Sequence, residues 1–132
     1  MVLSYFSIRL VGMDGLEIQQ VDGAHGACIL ILKGSLTIKS LFEFQDLVRR
    51  EQSNNLIVDL GEVPYMDSAG LGAILGAYAS CERNGRPFGL ARVCQRVRTL
   101  FQVAGVDKLV PQYETVDAAE RQLAAKAASQ PR

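Results

Sequence analysis

The chain has 132 residues, 48% of them apolar, and its 14 basic and 14 acidic side chains cancel. That is enough for one ordinary domain with a real core, and neutral charge with no Trp and few aromatics excludes an electrostatic or base-stacking footprint for nucleic acid. Three Cys without a CxxC pair and a single His are too few ligands for a Cys/His metal cage, and no apolar run approaches the ~20 residues of a membrane span.

The expectation is therefore a soluble cytoplasmic protein with reduced thiols, no metal, no cofactor, no nucleic-acid partner and no membrane insertion. The first residues, MVLSYFSIRLVGMDG, have no charged segment before their apolar run and make a poor signal peptide. Residues 1–15 are read as a lead-in that forms an extra strand if it is ordered, because apolar residues fall on both of its faces. LEIQQV (16–21) alternates like a half-exposed strand, DGAHG (22–26) is a turn, and ACILILKG (27–34) is a strand buried on both faces, giving an antiparallel hairpin.

TIKSLFEFQDLVRR (37–50) places Ile38, Leu41, Phe42, Leu47 and Val48 near helical spacing, with Thr37 as a cap. NNLIVDLGEV (54–63) is a further apolar strand with Asp59 orienting the turn after it. The stretch from Ser68 to Asn84 is helical, through Leu71, Ile74, Leu75 and Tyr78, and stops at NGRP. FGLARV (88–93) is a short strand, and 94–105 is a helix with Val97, Leu100, Phe101 and Ala104 on one face. Residues 109–115 make an edge strand limited by Pro111, and 115–128 make a last amphipathic helix. Strands that alternate with helices require right-handed crossovers and a largely parallel sheet. The fold class is α/β, a mixed, mostly parallel sheet of four to five strands with about four helices packed mainly on one side. The domain is expected over 16–125, with a flexible tail at 126–132.

Chemistry concentrates at YMDSAGLG (65–72), where an apolar strand runs into a helix made of small residues. A helix start has unpaired N–H groups and a partial positive charge. Asp67 or Ser68 therefore serves as a cap worth ~1 kcal/mol, and the same place tolerates an added phosphate. Gly72 and Gly76 suit close packing of the helix on a neighbour. For Ala69, Gly70 and Ala73, close packing and a smooth face for a partner are equally good readings.

The element order, together with DLGEVPYMDSAGLGAIL, resembles the STAS family, the bacterial anti-sigma factor antagonists and their relatives, from about Leu16 to about Leu123. Its most specific part is DSAGLG at a helix start after an apolar strand ending VDL. The stretch GLARVCQRVRTLFQVAGVDKLVPQYETVDAA also follows the family pattern. One stretch departs: where antagonists often carry a Gly-Glu-Leu-Asp-like sequence, this chain has Gly34, Ser35, Leu36 and Thr37.

The resemblance implies a non-enzymatic binding module whose partner is an anti-sigma factor that is itself a serine/threonine kinase. The matching serine, Ser68, would be phosphorylated, and the unphosphorylated form would bind the kinase and so release a sigma factor. Asp67, Ser68, Ala69, Gly70, Tyr65, Met66 and Ala73 are the expected partner-binding residues, and a homodimer is compatible with this reading. The alternative is a scaffold subunit of a stress-signalling complex or of a lipid-transport ATPase system, in which the serine need not be phosphorylated.

An enzyme is the third reading. Ser68 as a nucleophile would need a base, His25 lies in a turn, and Met66 replaces the first Gly of a G-x-S-x-G elbow. Gly70, Gly72 and Gly76 do not have dinucleotide-loop spacing. Arg92, Arg96 and Arg98 are read as a solvated helix face, with an acidic partner surface as the minority reading.

Overall fold

A computed structural model describes residues 7–11, 15–51 and 53–129. The rest of the expected lead-in and the last three residues of the expected tail lie outside the described residues. In chain order the elements are β1 (Ser7–Val11), β2 (Glu17–Asp22), a 3-10 turn at Ala24–Gly26, β3 (Ala27–Lys33), α1 (Leu41–Arg50) and β4 (Asn55–Glu62). Then come α2 (Ser68–Arg83), β5 (Phe88–Ala91), α3 (Gln95–Val103), β6 (Gln112–Tyr113) and α4 (Val116–Ser129). One six-stranded sheet holds the strands in sequence order from β1 to β6. The pairs β1–β2 and β2–β3 are antiparallel, and those from β3 to β6 are parallel. The expected hairpin and mostly parallel sheet are both present, and the strand beyond the expected five comes from the lead-in.

The central strands are apolar throughout because both of their faces are covered. Leu56, Val58 and Leu60 of β4 enter the larger core, which α1, α2 and α3 close with Phe44, Ile74 and Phe101, all fully buried. Ile57 points the other way, into a smaller core with Ala27, Ile29 and Ala91 that α4 closes with Ala119 and Leu123. Three helices thus share one face and one takes the other. A side chain that leans on either core leaves water at about 25 cal/mol per Å² of apolar surface, which makes these two layers the main source of stability. Cys28, expected to be buried in a strand, is buried in β3; its thiol is pushed up to about 12, chiefly by burial and then by the nearby carboxylates of Glu51 and Asp22.

Several boundaries differ from the sequence expectation. The helix expected from Thr37 begins at Leu41. Thr37 opens the turn that leads into it and caps that turn as expected: its carbonyl accepts Ser40 N at 3.0 Å and Leu41 N at 2.9 Å, its hydroxyl accepts Lys39 N at 3.2 Å, and Ser40 Oγ accepts Thr37 N at 3.0 Å. The strand expected to reach residue 93 stops at Ala91 because Arg92 is left-handed, with φ 59°. The edge strand expected at 109–115 pairs only through Gln112–Tyr113. The last helix runs through Ser129, so the first part of the expected tail is helical.

Candidate functional site

Parallel strands bring their carboxyl ends to one edge of the sheet, and the loops that leave β3, β4 and β5 meet there. The loop after β4 carries Tyr65–Ser68 into α2. The loop after β3, Gly34–Ser40, is sewn to it by short backbone bonds. Leu36 N donates to the Tyr65 carbonyl at 3.1 Å, Asp67 N donates to the Leu36 carbonyl at 3.3 Å, and Leu36 pairs with Met66 as a single parallel bridge. The two loops therefore form one surface.

Asp67 fastens it. Its backbone is extended at the cap position of α2. One carboxylate oxygen accepts Gly70 N at 2.8 Å, and the other accepts Ile38 N at 3.1 Å across the junction. The capping role was legible in the sequence; the reach to Ile38 was not. Ser68 is the first residue of α2, exposed, and its hydroxyl makes no hydrogen bond to any described residue. The result is a fixed backbone that presents a free hydroxyl at the positive end of a 16-residue helix.

Gly70 is required by close approach. A Cβ there would stand 2.1 Å from the Leu36 carbonyl oxygen. Gly70 is buried, as are Met66 and Ala73, each 4% exposed, so these three offer a partner little surface. Met66 and Gly70 pack against Leu36 at the junction, and Ala73 lines a groove between α1 and α2. Gly72 and Gly76, expected to be the close-packed pair, meet open space. Both face solvent, and Gly76 lines that groove of about 230 Å³ between α1 and α2 together with Phe44, Val48, Ala73 and Ala77. Of the expected contact residues, Tyr65 and Ser68 are exposed, while Asp67 and Ala69 are partly so.

Ile38 and Phe42, read from their spacing as core, are instead 55% and 60% exposed at this edge. The usable signal was helical phase. Leu41, Phe44, Leu47 and Val48 define one side of α1, and Phe42 falls on the opposite side at 100° per residue. Tyr65, 45% exposed, lies under the Arg96 guanidinium, 5.8 Å from its ring centre.

Next to this surface, Asp59 at the end of β4 is 3% exposed and is held by Arg92 through two bonds of 2.9 Å, while one of its oxygens also accepts Gly61 N at 2.9 Å. Asp59 orients the turn, as its position suggested. Arg92 is not a free cation of the basic cluster: hydrogen bonding to Asp59 raises its pKa further, and its guanidinium lies against Gly61, where a Cβ would be 2.3 Å away. The only histidine, His25, sits in the turn before β3, at the opposite end of the sheet from Ser68. No helix among the described residues is long and apolar enough to cross a membrane.

Comparison with known proteins agrees with this architecture. A relative from Paenibacillus polymyxa named anti-sigma F factor antagonist is 28% identical over 101 residues, spanning 72% of this chain and 86% of its own. A crystal structure of an anti-sigma factor antagonist from Mycobacterium paratuberculosis superposes with a TM-score of 0.74 at 20% identity, covering 86% of this chain and 98% of that one. The Bacillus cell fate determinant SpoIIAA, solved in its phosphorylated form, superposes with a TM-score of 0.61 at 18% identity, over 80% of this chain and 98% of that one. A family model described as the STAS domain matches residues 16–119, and the chain belongs to that family.

Proposed function

We propose that this chain is an anti-sigma factor antagonist, a binding module without catalysis of its own, whose unphosphorylated form binds an anti-sigma factor serine/threonine kinase in the cytoplasm and is switched off by phosphorylation of Ser68. The observation that carries the reading is the exposed, unbonded Ser68 hydroxyl at the start of α2, on a backbone already fixed by Asp67. The names of its relatives point the same way, and one neighbour in fold was solved phosphorylated.

The chemistry asks little of this chain. Ser68 Oγ attacks the γ-phosphorus of ATP held by the kinase; the new O–P bond forms as the bond to ADP breaks, and the hydroxyl proton leaves to a base of the kinase. Asp67 is a poor candidate for that base, since both its oxygens already accept backbone N–H groups. The phosphate adds about −1.5 to −2 charges at neutral pH. The helix N-terminus accommodates it, so the fold survives and the change is confined to the surface.

Mass spectrometry of the chain incubated with ATP and the anti-sigma factor kinases of its genome, tested one by one, should find a single phosphate on Ser68. In titration calorimetry Ser68→Ala should bind the kinase like wild type and accept no phosphate, whereas Ser68→Asp should lose binding. Equal binding by wild type and Ser68→Asp would defeat the switch.

A further inference from the structure

We infer that Ile38, Phe42 and Tyr65 form an apolar collar beside Ser68 that supplies most of the kinase's grip, so that affinity and phosphate acceptance rest on different residues; this rests on the function proposed above. Large apolar side chains exposed among the described residues are Ile38, Phe42, Tyr65, Val103 and Leu109, and the first three gather at the mouth of α2. The Ile38 N–H is bonded to Asp67, the neighbour of Ser68. Phe42 follows one helical turn later, on the same side, because the Thr37 carbonyl already accepts Leu41 N at 2.9 Å. Tyr65 lies three residues before Ser68, and its carbonyl holds Leu36.

Folding does not ask for these side chains. Phe42 points away from the side of α1 that packs, and Ile38 sits in a turn whose backbone is held without its side chain. Clustered exposed apolar groups that contribute nothing inside the chain mark a contact surface. The charge around them indicates its occupant. From Gly34 to Ser40 the only charged side chain is Lys39, and Arg96 overlies Tyr65. Glu62, the last residue of β4, is paired with Lys33 at 3.9 Å, and Glu43 stands next to Phe42 in the first turn of α1. The matching kinase face is an apolar pocket rimmed by acidic side chains.

The collar also explains why a phosphate releases the partner. A dianion beside apolar groups must shed its water when a pocket closes over it, and it then faces the acidic rim of that pocket. Release then follows from desolvation together with repulsion by that rim.

The test uses the full chain and the kinase that phosphorylates Ser68, with Ile38→Ser, Phe42→Ser and, as a control equally remote from the core, Val103→Ser at an 81% exposed position. Thermal melts first establish that each variant is folded; a melted variant is replaced by Phe42→Gln. Phe42→Ser should weaken binding about 30-fold or more, the effect of losing a central apolar anchor. It should raise KM for phosphorylation and leave kcat unchanged, while Val103→Ser changes neither. Binding by both collar variants within about threefold of wild type, with Ser68 still phosphorylated, overturns the collar and leaves the proposed function standing. Failure of every kinase to bind or phosphorylate the wild-type chain overturns the function, and the collar with it.

Discussion

The two ends of the parallel strands treat their polar groups in opposite ways. At the amino end, Glu51, Ser53 and Arg86 close on one another under the sheet. Arg86 pairs with Glu51, and its Nε donates to the Ser53 carbonyl at 2.8 Å, with side chains only 16% and 6% exposed for Arg86 and Glu51. Ser53 Oγ stands 2.7 Å from both Glu51 Oε2 and the Asn55 carbonyl. At the carboxyl end Asp67 also bonds inside the chain, but Ser68 beside it is left open, with Ile38, Phe42 and Tyr65 around it. One end is closed around an ion pair, although the buried Asn55 side chain there has no hydrogen-bond partner among the described residues. The other keeps a rigid frame and an unsatisfied surface, as a docking site requires.

Breaking the closed end should have the largest effect. Glu51→Ala strands a largely buried guanidinium, and loss of one member of such a pair costs about 3 kcal/mol or more. For a chain of this size that lowers the melting temperature by about 10 °C. Binding to the kinase, measured well below the melt, should be unchanged, because the pair lies at the far end of the sheet. A melt within about 2 °C of wild type would show that the amino end is not the stabilising one.

The open end responds to a smaller change. Gly70→Ala forces a methyl into the Leu36 carbonyl, which already accepts Asp67 N, so the two loops must part. Overpacking of this kind costs about 1–3 kcal/mol, less the ~1 kcal/mol that Ala returns in helix propensity. Faster hydrogen exchange at the Ile38 and Gly70 amides, together with weaker kinase binding, is the expected signature. Unaltered exchange at both amides would mean that Gly70 does not hold the junction together.

The sequence made legible whatever depends on local period and local chemistry. Alternating and continuous apolar runs gave the order of strands and helices, and a carboxylate and a hydroxyl at a strand-to-helix junction marked Asp67 and Ser68. Partnerships between distant residues were not legible. Asp59 and Arg92 are 33 positions apart, and neither the ion pair nor the left-handed Arg92 that ends β5 leaves a mark on its own neighbours. Thr37 does cap the turn that leads into α1, its hydroxyl accepting Lys39 N at 3.2 Å, but a cap does not say which side of the helix packs, and Ile38 and Phe42 lie on the exposed side. Close packing was assigned to Gly72 and Gly76 and left open for Gly70, because spacing along a helix says which residues share a face, not which face meets another backbone.

Those glycines also give the smallest and most discriminating prediction. Gly70 is fixed by a carbonyl in van der Waals conflict with any side chain, whereas a methyl on Gly76 enters empty space beside Phe44 and Ala77. Gly76→Ala should therefore stabilise the chain by up to ~1 kcal/mol, the helix-propensity difference, with no packing penalty. Denaturant titration would show the midpoint rise at constant slope. Kinase binding should stay at the wild-type level, because Gly76 lies two turns along α2 from Ser68 and away from the Ile38–Phe42 surface. If Gly76→Ala stabilised the fold yet weakened binding, the contact surface would have to extend down the bare side of α2, and the open glycines would be part of the docking face rather than a cost the helix carries beside it.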